Sequence, residues 1–272
     1  MSIKVYNFFM SFPWGRVGRF LPVLTLVLLV AWLVETPPGL LGKADAIGFS
    51  VCHRIDTHSF FLADRQLPLC ARCTGMYLGA LVGLGYAFFK GRRVNFPPLR
   101  IQLILGIFLL AFAVDGVNSY LNLFRDAPAL YASQNWLRLL TGTLLGIGAG
   151  VFLAAAFQQT VWNESDQRPA LGNFRQLGGL VLIGAGINLA ILSDNPLIQY
   201  PVAVLSALTV PLILTLAYTV LWVLIFKRDN LFASWRSLLL PLTGGFTTAL
   251  VQVFAIDMVR LVLTGSWQGF RF

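Results

Sequence analysis

The sequence is poor in charged residues: Asp, Glu, Lys and Arg make up 11% of its 272 residues, while 57% are hydrophobic. A soluble domain carries about 25% charged residues, so this shortage excludes an ordinary water-soluble fold and places the chain in a lipid bilayer. The net charge of +9 comes from short basic clusters between apolar runs. That pattern is typical of membrane topology signals and lipid headgroup contacts, and it does not indicate nucleic-acid binding.

Cysteine and histidine are almost absent. The chain has three cysteines and two histidines, too few for a disulfide scaffold. Every one of them lies between Val51 and Tyr77. A chain that keeps all its sulfur and imidazole ligands in one short window is predicted to use that window for chemistry.

Long apolar runs predict an all-α fold, a polytopic transmembrane helix bundle of about seven spans. The spans fall at about residues 20–40, 70–89, 101–117, 135–157, 176–192, 197–226 and 235–264. The cluster of Lys90, Arg92 and Arg93 beside two spans places the N-terminus in the cytoplasm by the positive-inside rule. The loop at residues 42–69, with Cys52 and both histidines, then faces the extracytoplasmic side of a bacterial inner (plasma) membrane.

Three parts of the chain are distinguished: a cytoplasmic or interfacial segment over residues 1–19, a cysteine-bearing half over residues 20–157, and C-terminal helices over residues 158–272. Ala44-Asp45-Ala46 matches a signal-peptidase pattern, but two prolines and a long gap separate it from the first apolar run. An uncleaved first helix is therefore favoured. Close packing of the second and fourth spans is predicted by glycines that recur every four residues: Gly75, Gly79 and Gly83, and Gly142, Gly146 and Gly150.

The topology also predicts that polar residues of three distant helices converge near the cysteines. They are Asp115 at the end of the third span, Asn135 and Arg138 at the start of the fourth, and Asp257 and Arg260 in the corresponding half of the seventh. Ionisable residues at membrane depth are costly and usually face the bundle interior. One interpretation is a pair of structural ion pairs, Asp115–Arg138 and Asp257–Arg260. The other is a single functional site.

The cysteines follow the pattern C-H-x16-C-x2-C. Cys-x-x-Cys has the spacing of half a zinc knuckle and of a dithiol redox motif. In a first interpretation Cys52, His53, Cys70 and Cys73 bind zinc, with His58 as an alternative to His53. In a second, Cys70 and Cys73 cycle between dithiol and disulfide, with Cys52 as a resolving thiol. In a third, two cysteines form a stabilising disulfide. The nearby histidines favour the metal.

Four arginines are expected to surround this site with positive charge: Arg54, Arg65, Arg72 and Arg138. Arginine is suited to bidentate capture of phosphate or carboxylate groups. Contact with lipid headgroups at the membrane surface is an equally open interpretation.

One long segment carries a signature: Cys52-His53, Ser59-Phe60 and Arg65-Gln66-x-Pro68-x-Cys70-Ala71-Arg72-Cys73-Thr74-Gly75-Met76-Tyr77. Together with Asp115-Gly116 and Asn135-x-x-Arg138-x-x-Thr141-Gly142, it resembles the domain of unknown function 2085 family of predicted bacterial membrane proteins, over about residues 52–150. The resemblance implies a multi-pass membrane protein in which these cysteine, histidine, arginine, aspartate and asparagine positions act as one unit. Asp257 and Arg260 lie outside it and depend on topology alone.

The favoured function is an extracytoplasmic metal site, with zinc as the metal, that binds or processes an anionic membrane-borne ligand. Candidate catalytic residues are Asp115 and Arg138. Candidate ligand-binding residues are Arg72, Asn135, Asp257 and Arg260. The alternatives are a membrane thiol-disulfide oxidoreductase using Cys70 and Cys73, and a non-enzymatic carrier or assembly partner. The sequence leaves open whether the protein is an enzyme.

Overall fold

The computed structural model describes residues 14–124 and 128–267. Its eight α-helices in these ranges are α1 (Trp14–Glu35), α2 (Leu40–Val51), α3 (Ala71–Phe89), α4 (Leu99–Leu121), α5 (Asn135–Val161), α6 (Phe174–Leu192), α7 (Pro196–Ile225) and α8 (Leu239–Thr264). Two short strands, β1 (Phe61–Leu62) and β2 (Arg65–Gln66), pair antiparallel, and β3 (Arg93–Asn95) pairs parallel with β4 (Asp166–Pro169). The predicted all-α class is confirmed. The predicted interfacial residues 1–13 lie outside the described part.

Six of the described helices are long and apolar enough to cross a membrane: α1 from Gly18 onward, α4, α5, α6, α7 and α8. The protein is therefore a multi-pass membrane protein by length and composition. α3 coincides with the predicted second span but is not among the six, because its polar first turn and its glycines lower its hydropathy. The count of seven spans and the orientation of the N-terminus remain predictions.

The contact between α3 and α5 is the closest in the bundle. A Cβ atom at Gly79 would overlap the carbonyl oxygen of Thr143, and one at Gly146 would overlap that of Met76. The two helices therefore pack backbone against backbone, as the glycine spacing predicted. At the first turn of α3, a Cβ atom at Gly142 would overlap the carbonyl oxygen of Arg72. This contact fixes the Cys-x-x-Cys turn against α5.

The sequence interpretation of residues 42–69 as a loop is wrong in its first part. α1 ends at Glu35, before Pro37 and Pro38, and the chain then forms the twelve-residue helix α2. A Cβ atom at Gly48 would overlap the carbonyl oxygen of Pro68, so α2 is held against the chain that leads into α3. This tertiary contact explains a helix that local propensity does not predict.

The C-terminal helices differ from their predicted bounds in small ways. Pro201 and Pro211 both lie inside the continuous helix α7, although proline commonly kinks or ends a helix. α8 begins at Leu239, later than expected, because Trp235 belongs to an aromatic group with Trp162 and Phe157 before the helix starts.

The bundle has two distinct ends. The cysteine end holds α2 and the first turns of α3 and α5, together with the last turns of α4 and α8. The basic end holds Lys90, Arg92 and Arg93, which follow α3. Because α3 has 19 residues, about 28 Å of helix separates the two ends.

Candidate functional site

The three cysteine side chains meet at the cysteine end. Cys52 directly follows α2, Cys70 precedes α3, and Cys73 lies on its first turn. Their sulfur atoms all lie within 4.8 Å of one another. The backbone N–H of Cys70 donates a hydrogen bond to the Cys52 sulfur at 3.3 Å. The sulfurs therefore form the compact group that the zinc and redox interpretations both require.

Proton sharing makes the three thiols unequal. Hydrogen bonds from the Cys70 and Cys73 thiols hold the pKa of Cys52 well below its usual value, against the opposing effect of burial. The same bond to Cys52 raises the pKa of the Cys70 thiol. Cys52 is therefore the thiol of this group that loses its proton most readily. Thiolate is the form in which sulfur acts as a nucleophile or binds a metal.

The sulfur group faces an apolar interior. Cys52 and Cys70 are 4% and 2% exposed, whereas Cys73 is half-buried. The group packs with Trp32 of α1, Ala207 and Val210 of α7, and Leu250 and Val253 of α8. We call this surface of the Cys52–Cys73 segment the sulfur side.

The predicted residues of α8 lie near this side. Arg260 donates to the carbonyl oxygen of Cys52 at 2.7 Å and to that of Phe49, and its guanidinium stacks over the Phe49 ring at 4.1 Å. It therefore fixes the end of α2 just before the first cysteine. Asp257 is fully buried and accepts a hydrogen bond from the Trp32 indole at 3.0 Å. Arg260 therefore contacts the segment that carries Cys52, whereas Asp257 contacts Trp32, a residue of the apolar group around the sulfurs.

Neither imidazole belongs to the group of ligand atoms within 4.8 Å of one another. Cys52 is extended, with φ −131° and ψ 144°, so successive side chains point to opposite sides and His53 turns away from the sulfurs. Its Nδ1 accepts a hydrogen bond from the Ile55 amide at 3.1 Å, and its ring lies edge-on to that of His58 at 5.6 Å. Burial lowers the pKa of both imidazoles, to about 4 for His58. His53 as a zinc ligand remains a prediction.

Asp115 is paired with a different arginine from the expected one. Its Oδ2 accepts hydrogen bonds from Arg72 Nε at 3.2 Å and from Arg72 Nη2, and its Oδ1 accepts one from the Tyr131 hydroxyl at 2.9 Å. The predicted ion pair Asp115–Arg138 is therefore wrong. Arg72 reaches Asp115 because the first turn of α3 is pressed against α5, which leaves its side chain directed at α4.

Arg138 joins the same network through a hydroxyl group. Its Nε donates to the Ser119 oxygen at 3.2 Å, and Arg72 Nη2 donates to the same oxygen at 2.7 Å. Arg138 Nη1 donates to Asn135 at 2.7 Å, and Asn135 in turn donates to the carbonyl oxygens of residues 57 and 59 at 3.3 Å. Four predicted site residues, Arg72, Asp115, Asn135 and Arg138, thus belong to one hydrogen-bonded network.

The predicted ring of four arginines is wrong for two of them. Arg54 donates to Asp45 Oδ1 at 3.0 Å, and Arg65 pairs with the other oxygen of the same carboxylate. Asp45 lies on α2, which the sequence analysis assigned to a loop, so this pairing was not predictable from the assigned topology. The sequence analysis also missed Ser119 and Tyr131. Ser119 lies one helical turn after Asp115, so its position was a usable signal, whereas nothing marks Tyr131.

A cavity of about 330 Å³ lies beside this network. Its lining includes His53 and His58 on one wall, Arg72 at the base, and Gly116, Ser119 and Tyr120 of α4 on the other wall. We call this surface the cavity side. The Cys52–Cys73 segment therefore separates the sulfur side from a cavity that is lined by apolar surface and a few polar side chains, among them Arg72 and both histidines.

Fold and site together define a multi-pass helical membrane protein with a buried three-cysteine group beside an arginine–aspartate network. The profile of the family described as predicted membrane protein (DUF2085) matches residues 52–152. The chain belongs to this family, as the resemblance implied. The matched region contains the three cysteines and the whole arginine–aspartate network, whereas Asp257 and Arg260 lie beyond it.

Two curated relatives support the assignment. An uncharacterised protein of Methanocaldococcus jannaschii is 30% identical over 115 residues, which cover 42% of this chain and 68% of the relative. An uncharacterised protein of Methanothermobacter thermautotrophicus is 34% identical over 101 residues, which cover 37% of this chain and 82% of the relative. Both relatives are archaeal, whereas the resemblance implied bacterial proteins. No solved structure matches the chain.

Proposed function

We propose that the protein binds one zinc ion through Cys52, Cys70 and Cys73, and that this metal centre holds together the extracytoplasmic end of the bundle beside an anion-binding cavity. The observation that carries the proposal is the approach of all three sulfurs to within 4.8 Å of one another. In a tetrahedral site with Zn–S bonds of 2.3 Å, sulfurs lie about 3.8 Å apart. A small inward movement of the three side chains would therefore bring the sulfurs to bonding distance of one zinc ion.

The surroundings of the sulfurs favour a structural metal over a catalytic one. Two of the three sulfur-bearing residues are less than 5% exposed, and their neighbours are apolar side chains of α1, α7 and α8. A catalytic zinc keeps a position open to water and substrate, whereas a structural zinc is closed. The lowered pKa of Cys52 and the hydrogen bond that its sulfur accepts from the Cys70 amide favour the deprotonated form that a metal requires.

His53 is the fourth ligand that the sequence analysis proposed, and its role depends on a ring rotation. Its Nδ1 is occupied by the Ile55 amide, so Nε2 is the nitrogen that would bind the metal. His53→Gln tests this directly: a three-sulfur site keeps its zinc, whereas a Cys3His site loses affinity by at least about tenfold.

Metal analysis of purified protein tests the proposal. The full chain, produced with zinc supplied and purified in mild detergent, is expected to contain one zinc per chain by inductively coupled plasma mass spectrometry, and Cys73→Ser is expected to lose it. Cobalt in place of zinc would give a thiolate-to-metal charge-transfer absorption whose intensity reports the number of sulfur ligands. Thr74→Ser is the matched control, because Thr74 lies in the same turn and keeps its hydroxyl hydrogen bond to Leu69.

The second candidate is the thiol-disulfide oxidoreductase, favoured by the lowered pKa of Cys52 and by two further sulfurs within 4.8 Å. Oxidation would join two of the sulfurs, with release of two protons and two electrons to a quinone or disulfide acceptor. Metal-free protein whose cysteines titrate reversibly with two electrons would support this function and contradict the zinc proposal. Equal zinc content in wild type and Cys73→Ser would also contradict the zinc proposal.

The extracytoplasmic location rests on the positive-inside rule and needs its own test. Asp64 is exposed at the cysteine end, and Asp229 is exposed at the basic end. In intact cells, a membrane-impermeant maleimide is expected to label Asp64→Cys and to leave Asp229→Cys unlabelled until the membrane is opened. The reverse pattern would place the cysteine end in the cytoplasm.

A further inference from the structure

The cavity has nitrogen donors that no described residue uses. Arg72 donates hydrogen bonds from Nε and Nη2 to Asp115 and Ser119, but no described residue accepts a hydrogen bond from its Nη1. Neither ring nitrogen of His58 has a hydrogen-bond partner among the described residues, although the side chain is only 7% exposed. Both residues line the cavity and neither side chain has a fully buried nitrogen without a partner, so these nitrogens are accessible from the cavity to a ligand that accepts hydrogen bonds.

The charges around the cavity favour an anion. Arg72 and Arg138 bring two positive charges, and the network contains a single carboxylate, that of Asp115. Both arginines donate to the same Ser119 oxygen, so they are held close together in spite of their repulsion. A second anion would relieve this repulsion, and guanidinium groups are well suited to the oxygens of phosphate.

A glycine keeps Arg72 accessible. Gly116 lines the cavity, and a Cβ atom built there would lie 3.9 Å from Arg72 Nη1, with no other atom of the described structure within 4 Å. Any larger side chain would extend from that Cβ into the space in front of Arg72 Nη1. The cavity volume of about 330 Å³ is at the lower end of the range for small-molecule sites.

The cavity opens toward lipid along α4. Tyr120 and Leu123, which line it, are 62% and 38% exposed. Below them, the outer surface of α4 presents Leu110, Val114 and Val117, each more than half exposed. α4 is a candidate span, so these side chains meet acyl chains, and Tyr120 lies where an amphipathic ring marks the interface. A ligand with an apolar chain can therefore enter sideways from the membrane.

We propose that this cavity binds the phosphate headgroup of a membrane-borne amphiphile, with the phosphate oxygens at Arg72 Nη1 and His58 and the apolar chain along the outer surface of α4. This assignment deepens the anion-binding part of the proposed function by naming the ligand class. It does not require the zinc ion, because the cavity and the sulfurs lie on opposite sides of the same segment.

Gly116→Leu tests the proposal without replacing any residue of the hydrogen-bonded network. Its leucine would fill the space before Arg72 Nη1. Gly106→Leu is the matched control on the same helix, since a Cβ atom there meets nothing within 4 Å. The full chain is reconstituted in phosphatidylcholine nanodiscs, and binding of fluorescent phosphatidic acid is measured by titration. Gly116→Leu is expected to weaken binding at least about tenfold, because the leucine would block the hydrogen bond from Arg72 Nη1 to the phosphate, and Gly106→Leu is expected to leave binding within about twofold.

The outcomes separate the ligand sources and the two proposals. Unlabelled phosphatidic acid is expected to compete, and inorganic phosphate to compete only at much higher concentration. Inorganic phosphate that competes as well as the lipid would overturn the membrane-borne part. Equal binding by wild type and Gly116→Leu would overturn the site itself. Zinc content is measured in every sample: a Gly116→Leu protein that loses lipid but keeps zinc supports this inference, and the zinc result alone decides the proposed function.

Discussion

The two sides of the Cys52–Cys73 segment use the same backbone for different purposes. On the sulfur side, three cysteines meet among apolar side chains with little exposure. On the cavity side, His53 and Arg72, which directly neighbour cysteines in the sequence, line the cavity. The extended conformation of Cys52 produces this division. The proposed zinc site and the proposed phosphate site would therefore use alternate side chains, and we expect that they can be changed separately.

The α3–α5 contact holds the segment that carries both the sulfur side and the cavity side. A substitution that disrupts this contact should therefore have the largest effect on stability and binding. In Gly142→Val the new side chain would overlap the carbonyl oxygen of Arg72, and neither backbone can withdraw without moving the Cys-x-x-Cys turn. We expect a loss of about 3 kcal/mol or more, at the upper end of overpacking effects, together with loss of zinc and of phosphatidic acid binding. Thermal unfolding in detergent and the two binding assays measure it.

Gly178→Val on α6 is the control for Gly142→Val, because a Cβ atom at Gly178 meets nothing within 4 Å. It carries the same change of helix propensity without the overlap. A Gly142→Val protein as stable as Gly178→Val would show that the two helices can separate without cost, and the shared support would be refuted.

The second prediction concerns a substitution, Arg72→Gln, that affects the cavity side alone. Arg72→Gln leaves the Asp115 carboxylate, 1% exposed, without its cationic partner. Removal of one member of a buried pair costs about 3–5 kcal/mol. We expect a stability loss near the lower figure, since Tyr131 still donates to Asp115, and loss of phosphatidic acid binding with zinc retained.

The double variant Arg72→Gln/Asp115→Asn sharpens this second test. It removes the unpaired charge, so thermal stability should largely recover while lipid binding stays lost. Arg65→Gln serves as the control, because Arg65 is 47% exposed and its pair with Asp45 is worth at most about 1 kcal/mol. Recovery of lipid binding in the double variant would show that Arg72 holds Asp115 in place and does not contact the ligand.

How far the sequence predicted this arrangement depends on the kind of contact. Apolar runs and glycine spacing predicted the helices and the α3–α5 packing, because both are periodic along one chain. The topology predicted that Asp115, Asn135 and Arg138 lie at the same depth in the membrane. Depth alone does not determine which of these side chains pair with each other. The rotation of α3 about its axis directs Arg72 at Asp115, so Arg72 and not Arg138 is its partner. The sequence does not show this rotation. α2 was missed because contact with Pro68 stabilises it.

The third prediction concerns pH and is smaller. Burial lowers the pKa of His58 to about 4, from an ordinary value of 6.5. The unfolded chain therefore takes up a proton below about pH 6.5, whereas the folded protein does not until about pH 4. The contribution of His58 to stability is complete above pH 6.5 and is lost as the pH falls through this window.

Melting temperatures between pH 7.5 and 4.5 measure this effect of His58. Zinc content must be determined at each pH, because thiolate ligands also release metal in acid. The wild-type curve should fall more steeply with acidification than that of His58→Gln. Parallel curves would mean that the imidazole is solvated and does not line a closed cavity wall.

The smallest effect is expected at Asp257, which contacts neither side directly. Its Oδ2 accepts a hydrogen bond from Trp32, and its Oδ1 has no hydrogen-bond partner among the described residues. Asp257→Asn keeps an acceptor for the Trp32 indole and removes a buried carboxylate, whose burial is costly. We expect a stability change below about 1 kcal/mol and unchanged phosphatidic acid binding, since the cavity is lined by α4 and the segment at residues 53–72. Weakened lipid binding in Asp257→Asn would instead support the prediction of the sequence analysis that Asp257 is a ligand-binding residue.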